Sequence, residues 1–157
     1  MAHIHEKIDY TVEVFIVYKN KVLLRRHEKY DIWLSVGGHI ELDETPEQAA
    51  VREVKEEVGL DIKLVGHKKG EAEGNPENRG HRDLIPPKYL GIHPVNDTHQ
   101  HIVLVYFAVS DTDKILEPFD EKEKAETCWV SKDELEKMDL VPNVLFYARE
   151  ALKELSI

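Results

Sequence analysis

Residues 38–60 read GHIELDETPEQAAVREVKEEVGL, and their spacing dictates a short helix bounded at both ends. Thr45 can cap it, Pro46 suits its first position, and Gln48 completes a capping box. Gly59 is a natural stop. These signals predict a helix over residues 46–58. On it Glu53, Glu56 and Glu57 stand at i, i+3 and i+4 and share one face. Ala50, Val54 and Val58 form an adjoining apolar stripe that can dock on a sheet. Ala49 is expected to project near the carboxylates and, being small, to leave room there.

Three like charges on one helix face repel, each close pair costing a few tenths of a kcal/mol. Hard divalent cations, which take oxygen ligands, convert that cost into binding. Arg52 flanks the cluster and can orient one carboxylate through a bidentate contact. Glutamate runs alone are usually solvated helix faces.

The rest of the chain supplies a sheet. Residues 10–18, YTVEVFIVY, are β-branched and aromatic and read as a buried strand; Lys19-Asn20-Lys21 is a turn into a second strand at 22–24. Further strands are expected at 33–36, 39–41, 60–65, 89–94, 102–109 and 128–130. Ser131 can cap a helix over 132–138, and an amphipathic helix is expected over 143–155. Residues 68–87 are rich in glycine and proline, and a loop of that length is usually functional or disordered. The expected architecture is α+β, one domain over 1–157, with a mixed sheet between helices.

The formal charge of −10 disfavours general binding to a nucleic-acid backbone. A phosphate-handling site would need metal ions and a few local basic groups to reverse that sign. The single cysteine, Cys128, excludes an internal disulfide and suits a reducing cytosol. No stretch reads as a secretory leader or membrane span. A cytoplasmic location is the expectation.

The stretch from Gly38 to Leu60 also fits the template G-x5-E-x7-R-E-U-x-E-E-x-G-U, with U aliphatic, at every fixed position. Chance matches should occur on the order of once in a million chains of this length, or less often. The chain therefore resembles the Nudix (MutT-like) hydrolases, which cleave nucleoside diphosphates linked to another group. Val22-Leu23-Leu24-Arg25 and Trp33 upstream, and an acidic stretch before Trp129-Val130 downstream, agree with that resemblance. It implies an α/β/α sandwich with a loop–helix–loop catalytic box. Glu53, Glu56 and Glu57 would bind Mg²⁺ or Mn²⁺, with a backbone carbonyl of Gly37 or Gly38 as a further ligand. Arg52 would hold a glutamate in place, and Glu44 would support the loop or bind another ion. A metal-activated water would attack phosphorus. The general base varies in the family. It would be a box glutamate or one of Glu121, Glu123 and Glu126, with Glu123 favoured by its distance before Trp129. Val36 stands where many members carry proline, and His39 follows at a variable position; neither touches a ligand.

Arg25, His99 and His101 are the tentative substrate contacts. His99-Gln100-His101 puts two rings on one strand face, and His93 lies nearby. No cysteine accompanies them, so zinc is disfavoured against surface structure or substrate contact. Lys68, Lys69, Arg79 and Arg82 are basic groups of the long loop that can meet phosphates. The expected partner is a small-molecule nucleotide, such as a (d)NTP or ADP-ribose-like compound, with no nucleic acid and no membrane. A homodimer is an assembly known among similar proteins. Two alternatives belong to other classes. Isopentenyl diphosphate isomerases share this fold but use a catalytic cysteine, whereas Cys128 lies in an expected core strand. A non-catalytic nucleotide-sensing module is the other.

Overall fold

Alternation along two long strands builds the centre of the molecule. The computed structural model describes residues 6–70, 74–120, 122 and 124–157. Its elements run β1 (Ile8–Tyr18), β2 (Lys21–His27), β3 (Ile32–Leu34), β4 (Val36–His39), α1 (Pro46–Val58), β5 (Ile62–Leu64), β6 (Tyr89–Asn96), β7 (His99–Ser110), β8 (Thr127–Ser131), α2 (Lys132–Leu135) and α3 (Pro142–Leu155). They form one sheet of order β3-β2-β1-β7-β5, with β4 also on β1, β6 on β7 and β8 on β2. The β1–β7 pair is parallel, running from Ile8 opposite Gln100 to Val17 opposite Val109. The other pairs are antiparallel.

Successive residues of a strand face opposite sides, so β1 and β7 feed two cores. Phe15 and Val17, with Val103, Val105 and Phe107, pack against Val144, Ala148, Ala151 and Leu152 of α3. Val12, Val14 and Ile16, with Tyr106 and Ala108, pack against Ala49, Ala50, Val54 and Val58 of α1. The result is the expected α/β/α sandwich. The small residues of α1 let it lie close on the sheet, which brings its acidic edge down to the strand ends.

The helix signals hold at both ends of α1. Thr45 and Gln48 form the capping box. Gly59 turns with φ 70°, and its N–H donates to the Lys55 carbonyl. Four expectations need correction. Ala49 is fully buried in the core rather than beside the carboxylates. The strand expected at 33–36 breaks at Ser35, because β3 pairs with β2 whereas β4 turns to pair with β1. The strand expected at 39–41 is the end of β4, since Ile40 and Glu41 leave the ladder towards the capping turn. The helix expected over 132–138 stops at Leu135, the one buried side chain of its four residues.

The long loop is partly organised. Pro76–Asn78 form a 3-10 turn capped by Asn75, and Asn75 bridges to His81. Its end is anchored near α1: the Ile85 N–H donates to Glu47, and its carbonyl accepts from the Tyr106 hydroxyl.

Candidate active site

Arg52 is the hub of the box. Its Nε and Nη2 donate to the two carboxylate oxygens of Glu44 at 3.0 and 2.6 Å. Its Nη1 reaches Glu53 at 3.0 Å and Glu56 at 3.2 Å, and Nη2 also donates to the His39 carbonyl at 2.9 Å. Glu44 in turn accepts from the Glu41 N–H. The fork geometry of a guanidinium suits this shared role. The bidentate partner is thus Glu44, and Glu44 supports the loop. The Arg52 hydrogen bond holds the Glu44 carboxyl below the usual glutamate range.

Glu53, Glu56 and Glu57 line one cavity, although one ligand atom from each does not fall within 4.8 Å of the others. Their side chains are 14%, 58% and 21% exposed, so Glu53 lies deepest. Burial pushes its pKa up, against the opposing pull of Arg52. Gly38 is packed so closely that a Cβ there would stand 2.3 Å from Glu53 Oε1. The absent side chain leaves the Gly38 backbone beside the innermost carboxylate. Hard oxygen donors with an unfavourable buried negative charge fit a Mg²⁺ or Mn²⁺ ion, which would relieve that charge. Gly37 has a different job. A Cβ there would stand 2.0 Å from the Val12 carbonyl oxygen, so glycine permits the close β1–β4 approach.

These two glycines give separable outcomes. Gly38→Ala displaces only the flexible end of Glu53, so it should fold and lose about 10-fold or more in hydrolytic rate. Gly37→Ala presses on backbone and should cost about 3 kcal/mol of stability. Urea melts beside a rate assay read both.

The three carboxylates line a cavity of about 420 Å³ with Arg25, Arg26, His27, Lys29, Lys122 and Lys124. With Glu28 also in the lining, five cations face four glutamates, a near balance in a chain of net charge −10. Arg25 approaches Glu57 at 3.8 Å, which places it at the box. Arg26 is held by Asp31 and Glu126. Glu126, a candidate base, is therefore tied to an arginine; Glu121 and Glu123 lie outside the described residues.

A second cavity, of about 680 Å³, opens on the α3 side of the sheet and shares His27 with the first. Its lining includes Glu13, Tyr30, Gly38, His39, His93 and His101. His101 therefore borders this cavity, whereas His99 does not line it and donates from Nε2 to the Asp9 carboxylate at 2.8 Å. Burial, then neighbouring histidines, push the His101 pKa down.

Sequence reasoning missed Glu13 and His27. Glu13 sits in mid-strand among apolar residues, and burial pushes its carboxyl pKa up. No hydrogen-bond or ion-pair partner meets it among the described residues. The one charged residue inside YTVEVFIVY was the available signal. His27 stacks on Tyr30 with ring centroids 4.8 Å apart, and its buried Nδ1 has no hydrogen-bond partner among the described residues. A raised acid pKa makes stability fall as pH rises from the unfolded value through the folded one. Glu13→Gln should therefore raise the melting temperature at about pH 8 and leave it unchanged near pH 3, below the ordinary glutamate range. An equal gain at both pH values would show that charge burial is not the cause.

The acidic helix, the close-packed Gly38 and the surrounding cations line one cavity on an α/β/α sandwich. A NUDIX domain model matches residues 8–149, and the chain belongs to the Nudix hydrolase family. The chain superposes with a TM-score of 0.83 on a NUDIX-family hydrolase from Clostridium perfringens, at 35% identity, covering 94% of this chain and 98% of that one. A MutT NUDIX hydrolase from Burkholderia pseudomallei shares the fold, with a TM-score of 0.61 at 21% identity over 96% of this chain and 100% of that one. A dihydroneopterin triphosphate diphosphatase from Haemophilus influenzae is 50% identical over 52 residues, 32% of this chain and 33% of that protein. The chain thus matches about a third of that relative's length. Among the described residues no helix is long and apolar enough to cross a membrane.

Proposed function

We propose that the chain is a divalent-metal-dependent pyrophosphohydrolase whose substrate is a nucleoside or pterin triphosphate. The observation that carries this reading is the pair of cavities meeting at His27. One is lined by the box carboxylates and a ring of cations; the other holds a largely desolvated carboxylate with no hydrogen-bond or ion-pair partner among the described residues. Polyphosphate suits the first and a heterocycle suits the second.

Glu53, Glu56 and Glu57 would hold Mg²⁺ or Mn²⁺, with the Gly38 backbone beside them. The ion supplies water activation and neutralises diphosphate charge. Arg52 fixes Glu53 and Glu56, and its bond to the His39 carbonyl ties the helix to β4. Arg25, Lys122 and Lys124 meet phosphate oxygens. The proton of the attacking water passes to a carboxylate. Glu123 is the candidate from sequence, and Glu56 is the most exposed of the box glutamates.

Guanine and pterin rings present an adjacent ring N–H and amino group, and a carboxylate accepts both. Glu13 in the second cavity supplies that acceptor. The name of the Haemophilus influenzae relative fits such a ring. The test is a panel of dihydroneopterin triphosphate, dGTP, GTP, ATP and ADP-ribose with Mg²⁺, read by phosphate and pyrophosphate release. The first three should exceed ATP and ADP-ribose by about 10-fold or more in kcat/KM, and Glu13→Gln should erase that preference. Silence across the panel, with the box occupied by metal, would leave a sensing module instead.

Cys128 separates the isomerase alternative. It lies on β8 opposite Leu24, against the α3-side core, and burial pushes its thiol pKa up. A protonated, core-packed thiol is a poor nucleophile. Cys128→Ala should retain most of the hydrolytic rate; a loss of several orders of magnitude in a folded protein would restore a catalytic role.

A further inference from the structure

We propose that Asp9, His39 and His101 form a second metal site, for a borderline divalent transition ion of the Zn²⁺ type, separate from the acidic box. The three residues come from β1, β4 and β7, side by side at one end of the sheet. Asp9 stands opposite His101 in the β1–β7 ladder, and His39 stands opposite Thr11 in the β1–β4 ladder. Asp9, Thr11 and their partners therefore project to the same face. One ligand atom from each of Asp9, His39 and His101 lies within 4.8 Å of the others.

The donor set selects the ion. Imidazole suits zinc, copper and nickel, whereas Mg²⁺ prefers oxygen donors and keeps its waters. With bonds of about 2.0–2.1 Å, neighbouring ligand atoms of a tetrahedral ion lie about 3.3 Å apart. His39 Nε2 is 3.7 Å from Asp9 Oδ2, close to that spacing. His99 Nε2 is 2.8 Å from the same oxygen, a hydrogen-bond distance, so His99 orients the carboxylate. Such an outer partner commonly fixes a metal-binding group. His93 packs on His101 with ring centroids 5.4 Å apart and offers another imidazole at the same place. The four histidines come from three strands and the aspartate from a fourth, which sequence spacing does not reveal.

The site borders the second cavity through His39, His93 and His101. It stands whether or not the acidic helix hydrolyses nucleotides: His39 follows Gly38 within the box sequence and gives its carbonyl to Arg52, but the proposed ligand is its ring, and none of the three ligands is a box carboxylate.

The experiment is calorimetric titration of the full chain with ZnCl₂ in saturating Mg²⁺, which keeps the carboxylate box filled. The parent should bind one Zn²⁺ per chain at this site, and His39→Ala and His101→Ala should each weaken it by about 10-fold or more. His3 and His5 remain in both variants, so binding at the N-terminus would survive them. Circular dichroism checks the fold. If His101→Ala fails to fold, His39→Ala decides alone, since its ring is 59% exposed. No binding by the parent, or parent-like affinity in a folded variant, overturns the proposal.

Discussion

Glu57→Gln is expected to cut hydrolysis by about 100-fold or more while leaving the fold intact, since a bound ion both activates water and neutralises phosphate charge. The amide keeps the shape of the side chain and removes one of three clustered negative charges. Without metal, repulsion from Glu53 and Glu56 therefore falls, and the variant should melt at the parent's temperature or slightly above it. With Mg²⁺ the order should reverse. An ion that binds only the folded state stabilises it by about 2.7 kcal/mol at 100 times its dissociation constant, and a weakened ligand set lowers that gain. Thermal melts with and without Mg²⁺, beside a rate assay, separate the two effects. Parent-like turnover and metal response would reduce the helix to a solvated acidic face.

Arg52→Ala should be the most damaging single change to the box. It leaves the Glu44 and Glu53 carboxylates, 11% and 14% exposed, without their shared cation. Removing one partner of a largely buried charge pair typically costs about 3 kcal/mol or more. For a chain of this size that corresponds to a fall in melting temperature of about 6–12 °C. Arg52→Lys should recover little, because an ammonium cannot span Glu44, Glu53, Glu56 and the His39 carbonyl at once. Full recovery by lysine would mean that charge alone, without the fork, holds the loop.

The box was legible because its signals are local. Thr45, Pro46, Gln48 and Gly59 act within one turn of α1, and the helix ends where they place it. The strands of the two cores were legible from their β-branched and aromatic runs, although their ends shifted by one to several residues. What the sequence concealed is long-range. Glu13 is a mid-strand residue whose neighbours, β4 and α3, arrive from later in the chain. His27 becomes interesting only because two cavities meet on it. The histidine cluster read as His93, His99 and His101 alone, because Asp9 and His39 join it only through the β1–β7 and β1–β4 ladders. Ala49 was misplaced for the opposite reason. Helical spacing gives its angle around α1, but the closeness of α1 to the sheet decides that it is core.

The β1–β7 ladder joins residues more than ninety positions apart, Ile8 to Gln100 and onwards. Chains dominated by such distant pairings fold slowly, because loop closure comes before the contacts that reward it. During synthesis at about 5–20 residues per second, β1 would wait roughly 5–20 seconds for its partner to be made. Through that interval one edge of an apolar strand stays open awaiting β7, whereas β2 and β4, which pair with its other edge, are made soon after it. The vulnerable step in making this protein is therefore before catalysis is assembled at all, and aggregation on the ribosome or in a refolding vessel should track the exposure of β1.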